Sequence, residues 1–414
     1  MKKFLLFIAM AFVGLAQAQT KDAKQLRIYL NPGHGCYGPN DRPLPTIPYP
    51  NLPETGRPGK NGFYESTTVL MRTLPMVDKL VKMGVKRENI MLSRTDNGPY
   101  PYVEGNAENK KFDRALSEIC EEVDANNMDF FISVHSNAAT DGGNTNYPLI
   151  LYRGRDGENG DLVAGSRDMA MKMWEPHYMD ELDPQSFYSR TNVNVRGDIS
   201  FYGSSAVRKG THGDYEGYLG VLKHGVPGFL IEGYFHTYQP ARHRALNADY
   251  CKQDAIRMTR GLAQIFNLQP ETTGYIMGTV KDLHQLIVNP LFHYAPRSND
   301  QWMPLNGAKV TLFKGDKALK SYQVDTLYNG IFVFEDLEPG EYSVRATLDG
   351  YKPQGNFTAE ATSTEYQKLV AQSMDKLVVK ANQTAYTKLY LEAVGFEPPK
   401  QNLDRKSTRL NSSH

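Results

Sequence analysis

Two histidines and one glutamate each follow directly on a short apolar run. Leu26–Leu30 leads into Asn31-Pro32-Gly33-His34-Gly35, Phe130–Val134 into His135, and Gly228–Ile231 into Glu232. Imidazole nitrogen and carboxylate oxygen are donors that zinc accepts, and a catalytic zinc site uses three protein ligands with one position left open. One histidine at a strand end is ordinarily structural, but three strand ends carrying His, His and Glu together point to a shared centre. The further carboxylate is expected from a neighbouring helix start. Glu65 opens the periodic segment Ser66–Met83 after Gly62-Phe63-Tyr64, although a first-turn glutamate also suits the helix dipole by itself. Glu54, in a Pro-rich stretch with no helix to fix it, is the competitor. Glu232 reads either as an acid/base group or as an additional ligand. Cys36, two positions after His34, offers a thiolate, but a partly exposed thiol is a poor structural ligand.

The elements that must position these groups alternate between two periods. Leu26–Leu30, Asn89–Ser93, Phe130–Val134, Pro148–Tyr152 and Gly228–Ile231 are short apolar runs, as expected of strands buried on both faces. Ser66–Met83, Ala107–Asn126, Leu162–Trp174 and Ala245–Phe266 carry apolar residues at three-to-four spacing and predict helices. This alternation predicts an α/β domain over residues 24–268, a mostly parallel sheet flanked by helices. In such sheets ligands bind outside the carboxyl ends of the strands, where His34, His135 and Glu232 fall. Two irregular stretches interrupt it, a Pro-rich one from Cys36 to Lys60 and a Tyr-, Ser-, Asn- and Gly-rich one from Glu175 to Gly217. Tyr202, Tyr215, Tyr218 and Tyr234 are the aromatics nominated to stack on a ligand ring.

Gln269–Gly274 reads as a linker, after which strand patterns take over. Tyr275–Val280, Ala308–Phe313, Gly330–Phe334, Glu341–Leu348 and Thr387–Leu391 predict a small all-β sandwich over 274–396. Residues 397–414 receive no fold; from Lys406 they have no apolar period and read as a foreign tail. At the other end Met1-Lys2-Lys3, the apolar Phe4–Leu15 and Ala16-Gln17-Ala18 read as a cleaved secretory signal over 1–18, too short to span a bilayer. The expected location is therefore periplasmic or secreted, with no transmembrane segment. A formal net charge of +1 gives no broad basic surface, so no nucleic acid partner is expected. Three cysteines far apart cannot form a closed disulfide framework.

Ile28–Gly35, the Glu65 helix start, Phe131–Ala138 and Val226–Glu232 stand in the order and context found in one family, and Met91–Asp96 fits as well. The chain resembles the zinc-dependent N-acetylmuramoyl-L-alanine amidases of bacterial cell walls over about Leu26–Leu268. The resemblance implies one zinc ion bound by His34, Glu65 and His135, Glu232 as catalytic acid/base, and peptidoglycan as substrate. Tyr234, His236, four positions after Glu232, and Asn137 are further nominated for substrate binding. The 31 positions between His34 and Glu65 exceed the family's usual separation, with the Pro-rich insert supplying the excess. Residues 274 to about 394, including Leu305-Asn306-Gly307 and Pro339-Gly340-Glu341-Tyr342, resemble carboxypeptidase regulatory-like domains with a transthyretin-like fold. That domain would serve as spacer, wall-docking element or contact for a protein activator. Two alternatives stand beside the amidase reading: a zinc carboxypeptidase acting on peptide stems, and an inactive wall-binding module. The first lacks a His-x-x-Glu pattern, because Tyr37 stands three positions after His34.

Overall fold

The computed structural model describes residues 21–50, 59–178, 193–358 and 376–397. The signal segment 1–18, Glu54 and the tail from Lys406 lie outside the described residues.

The first half builds β1 (Ile28–Pro32), α1 (Glu65–Lys82), β2 (Ile90–Leu92), α2 (Leu116–Ala125), β3 (Phe130–Asn137), β4 (Leu149–Tyr152) and α3 (Ser166–Tyr178). It continues with β5 (Val195–Gly197), α4 (Asp198–Tyr202), β6 (Ala206–Gly210), β7 (Gly213–Gly217), β8 (Gly228–Phe235), α5 (Gln239–Ala245) and α6 (Ala248–Phe266). Six of these strands form one sheet in the order β2-β1-β3-β8-β4-β5. β2, β1, β3 and β8 run parallel, while β4 lies antiparallel to β8 and β5 parallel to β4. The mostly parallel α/β class expected from the sequence is the one observed.

Strand alternation explains how both faces are covered. Ile28, Leu30, Phe130, Ile132, Phe229 and Ile231 pack with α1, α3 and α6 through Val69, Met76, Met173, Met258 and Leu262. Tyr29, Phe131 and Leu230 point the other way, against Ile119 and Val123 of α2 and Val221 and Leu222. A sheet covered on both sides explains why its strands read as continuous apolar runs.

Two expectations need correcting. The helix expected over Ala107–Asn126 is a short 3-10 turn, Ala107–Lys111, followed by α2. The break lies where the His34 loop crosses: a Cβ on Gly35 would sit 2.1 Å from the Phe112 carbonyl oxygen, and Cys36 Sγ meets Asn109 O at 3.0 Å. The stretch expected to be irregular up to Gly217 contains the β6–β7 hairpin. Its strands are largely solvated, so they lack the alternation that marks a half-buried strand. Arg208 anchors the hairpin by ion pairs to Glu121 and Asp124.

The second half builds β9 (Gly274–Leu286), β10 (Trp302–Pro304), β11 (Lys309–Lys314), β12 (Lys317–Gln323), β13 (Ile331–Leu337), β14 (Gly340–Thr347), β15 (Leu377–Val379) and β16 (Thr384–Leu391). β10 and β13 pair with β9 antiparallel and β16 pairs with it parallel, while β12-β11-β14-β15 form a second, antiparallel sheet. Ile276, Val280, Val310, Leu312, Phe332, Val344 and Leu389 fill a core of their own.

The two halves meet across a substantial contact. Tyr250 of α6 packs with Met277, Ile331 and Val333. Around this patch Tyr322 donates to Asp249 at 2.7 Å, Asn247 to Asp325 at 2.7 Å and Arg260 to Thr384 at 3.0 Å. Gln269–Gly274, expected as a plain linker, is itself tied down: Glu271 accepts from Lys79 Nζ at 2.5 Å and from the Tyr275 hydroxyl at 2.8 Å.

Candidate metal centre

β1, β3 and β8 are consecutive neighbours in the sheet, so their carboxyl ends deliver side chains to one place. His34 lies two residues beyond β1, and His135 and Glu232 are directly opposite one another in the β3–β8 register. Glu65 arrives as the first residue of α1. The result is a compact cluster: one donor atom each from His34, Glu65 and His135 lie within 4.8 Å of one another. His34 Nε2 is 3.2 Å from Glu65 Oε2, His135 Nδ1 is 3.4 Å from Glu65 Oε1, and the two rings meet edge to face at 5.1 Å. Space for the His135 ring depends on Gly33, where an added Cβ would lie 2.0 Å from it.

Several groups hold Glu65 in place. Its Oε1 accepts the Ser136 backbone N–H at 2.8 Å. α1 lacks a side-chain cap from Tyr64, and Asp41 supplies one from the Pro-rich segment, accepting from the Ser66 N–H at 2.5 Å and from the Ser66 hydroxyl. Buried Arg94 ties the same helix start to the His34 turn, donating to Ser66 O at 2.9 Å and Gly33 O at 2.7 Å. Arg72, fully buried, donates to His135 O at 2.7 Å and pairs with Asp254.

The electrostatics are those of a buried acid among imidazoles. Burial opposes ionisation of Glu65, yet the His34 charge and hydrogen bonds from His135 and His34 hold its carboxyl well below the usual range. Burial also works against charging His34, but Glu65 outweighs it and raises that imidazole to about 9. Burial pushes His135 down. It pushes the Glu232 carboxyl up, with the Glu65 charge adding to the effect. The His34, Arg72 and Arg42 charges counter this.

The remaining nominated residues divide by burial. Asn137 is half-buried, its Oδ1 accepting from Ala138 N at 2.8 Å. Tyr234 and His236, expected to touch substrate, are buried, 3% and 1% exposed. The Tyr234 hydroxyl donates to Thr68 at 3.3 Å and its ring lies under Arg72, so it packs α1 onto β8. His236 Nδ1 lies 2.9 Å from Ser136 Oγ and 3.8 Å from Glu65 Oε2, which makes it a further support for the glutamate. Cys36, expected to be partly exposed, is fully buried and stands outside the donor cluster. All three cysteines are free. Asp41, Arg94 and Arg72 went unassigned in the sequence. Arg94 had a signal in its place just past the β2 run, while Asp41 had none, since its partner lies on an element beginning 24 positions later.

Beside the cluster opens a groove of about 540 Å³ whose walls include Asn31, His34, His135, Lys110, Arg114 and Glu118. Its floor is the sheet edge and its far wall the start of α2, the placement expected for a ligand crevice.

No family model matches the sequence, and no curated protein does. Solved structures that align with the chain include an N-acetylmuramoyl-L-alanine amidase from Clostridium difficile 630, 18% identical with a TM-score of 0.38, covering 58% of this chain and 97% of that one. The catalytic domain of CwlV, an N-acetylmuramoyl-L-alanine amidase from Bacillus (Paenibacillus) polymyxa var. colistinus, is 14% identical with a TM-score of 0.38, over 59% of this chain and 99% of that one. The N-acetylmuramyl-L-alanine amidase Ami1 from Mycobacterium smegmatis is 14% identical with a TM-score of 0.40, over 60% of this chain and 99% of that one.

Proposed function

We propose that the chain is an exported zinc hydrolase that cleaves the amide between N-acetylmuramic acid and L-alanine in peptidoglycan. The observation that carries this reading is the convergence of His34, Glu65 and His135 donors within 4.8 Å, with Glu232 in register beside His135. The amide substrate itself comes from the sequence motifs that resemble cell-wall amidases.

The donor set fits a single zinc ion. Two imidazoles and a carboxylate are a common three-ligand set that leaves a position open. Glu65 is 1% exposed, and among the described residues its ion-pair partners are the histidines 34, 135 and 236, with no lysine or arginine at the carboxylate. A buried carboxylate matched only by imidazoles is suited to sharing a cation with them. Zinc so held supplies Lewis acidity toward the scissile carbonyl and lowers the pKa of the attacking water.

The chain's own groups do the rest. Glu232 takes a proton from the attacking water and returns it to the departing amine nitrogen of L-alanine. Its place in register beside His135 puts its carboxyl at the donor cluster, where such a group can exchange a proton with water and amine. Ser136 N–H fixes Glu65, and Arg94 with Asp41 fixes the helix start that carries it, so the three donors stay preorganised. The groove beside His34 and His135 receives the polymer.

Export follows from the leader over 1–18, and residues 24–268 are the catalytic unit in this reading, with 274–396 attached to its α5–α6 side. The test is direct. Wild type and Glu232→Ala are incubated with purified peptidoglycan, with and without chelator, and products are identified by mass spectrometry. Free stem peptides with an L-alanine amino terminus, seen only with wild type and metal, support the amidase. Shortened stems still attached to glycan would replace it with a carboxypeptidase.

A further inference from the structure

Tyr202 and Tyr218 form a parallel stack at the surface. Their ring centroids are 3.9 Å apart with 13° between planes, and they keep 36% and 41% of their surface exposed. Exposed aromatic rings are commonly scattered singly; two stacked flat on each other and left in solvent form a rigid platform.

The platform is built from beneath. Asp198, fully buried at the start of α4, accepts backbone N–H groups from Gly154 and Ile199 on one oxygen, both at 2.8 Å. Its other oxygen accepts from Tyr218 N at 2.8 Å and Leu219 N at 2.9 Å. One carboxylate thus fixes the backbone of α4, which ends in Tyr202, and that of the strand exit carrying Tyr218. Gly203, in the left-handed conformation at φ 68°, closes α4 immediately after Tyr202. Four charge-assisted bonds to a single buried acid preorganise both rings before any ligand arrives.

We propose that the Tyr202–Tyr218 stack is a saccharide subsite, binding a pyranose ring of the glycan strand. This rests on the amidase reading for its substrate class. The chemistry on the surface fits a sugar: a flat π face accepts the axial C–H groups of a pyranose, and two phenolic hydroxyls lie at its edge to bond ring hydroxyls. A peptide stem offers no comparable rigid, C–H-lined face.

The experiment uses the full chain with Tyr202→Ala, Tyr218→Ala, the double variant and Tyr202→Phe. KM and kcat are measured on a muropeptide carrying several disaccharide repeats and on a single muramoyl peptide. Binding of peptide-free glycan tetrasaccharide is measured by calorimetry. Loss of the platform is expected to reduce the KM preference for the extended substrate roughly tenfold in the double variant, with kcat carrying little of the change, and to weaken tetrasaccharide binding to the same extent. Tyr202→Phe, which keeps the stacking face, should retain most of the preference. An unchanged preference together with unchanged tetrasaccharide affinity in the double variant overturns the proposal. Should wild type cleave no muropeptide, the amidase reading fails, while the tetrasaccharide measurement still decides whether the stack binds sugar.

Discussion

Two buried charged clusters in this molecule look alike and are matched differently. At the junction between the halves, Asp300 accepts from the Tyr238 hydroxyl at 2.8 Å and from Arg244 at 2.7 Å, and Lys281 lies 3.6 Å away. Burial opposes ionisation of Asp300, but the Arg244 and Lys281 charges outweigh it and hold its carboxyl below the usual range. Arginine and lysine answer the acid, and the network is closed. At the ends of β1, β3 and β8, Glu65 meets only imidazoles as ion-pair partners among the described residues, and the carboxylate of Glu232 lies within its field. In the proposed reading, that cluster shares a cation that is not part of the chain. A buried charge network closed by arginine and lysine is a fastening; one closed by histidines beside a second acid is a site.

The largest effect that sharpens this contrast is at Glu232. Glu232→Gln is expected to lower turnover by roughly 10²- to 10⁴-fold while bound zinc, measured by elemental analysis, stays at the wild-type level. Loss of zinc together with turnover would recast Glu232 as a ligand. Next comes Asp300→Ala. It leaves Arg244 and Lys281 buried without their acid and should cost about 3–5 kcal/mol in denaturant unfolding, with zinc content of the folded fraction unaltered. Equal losses in both clusters would erase the distinction between them.

Two smaller effects follow. Asp41→Ala removes the distant cap from α1, and is expected to cost about 1 kcal/mol of stability and to weaken zinc affinity roughly tenfold, read by competition with a chelating dye. Acid titration separates the clusters further. A carboxyl held below its usual range in the fold lends stability above its unfolded value, 3.8 for Asp300, and loses it as the pH falls further. Asp300→Asn should therefore flatten the acid limb of the stability curve; a limb identical to wild type would show that the interface network does not set it.

Tyr250 with Met277, Ile331 and Val333, and the Asp300 network, would be exposed by cutting the chain near Gln269. Point substitutions on the solvent side of β11–β15 are therefore the sounder probe of wall docking.

Much of the centre was legible in the residue order. His34, His135 and Glu232 stand at the ends of apolar runs, and parallel strands buried on both faces announce themselves by such runs. Glu65 was legible as the opening residue of an amphipathic helix. Arg94 was legible only in part and Asp41 not at all, because a guanidinium bridging two turns and capping at a distance leave no periodic trace. The burial of Tyr234 and His236 was hidden for a related reason. Their proximity in sequence to Glu232 suggested the cleft, but α1 and Ser136 cover those positions, and burial depends on what packs from elsewhere. The β6–β7 hairpin was hidden by its solvated, charged strands, and the junction around Asp300 by its dependence on residues more than 50 positions apart.

His34, Glu65 and His135 are proposed to share one metal ion. Zinc is titrated calorimetrically into metal-stripped wild type and Glu65→Ala. One tight site per chain is expected in wild type, and its loss in Glu65→Ala. A variant that still binds one equivalent with wild-type affinity, or a wild type that binds none, would contradict it.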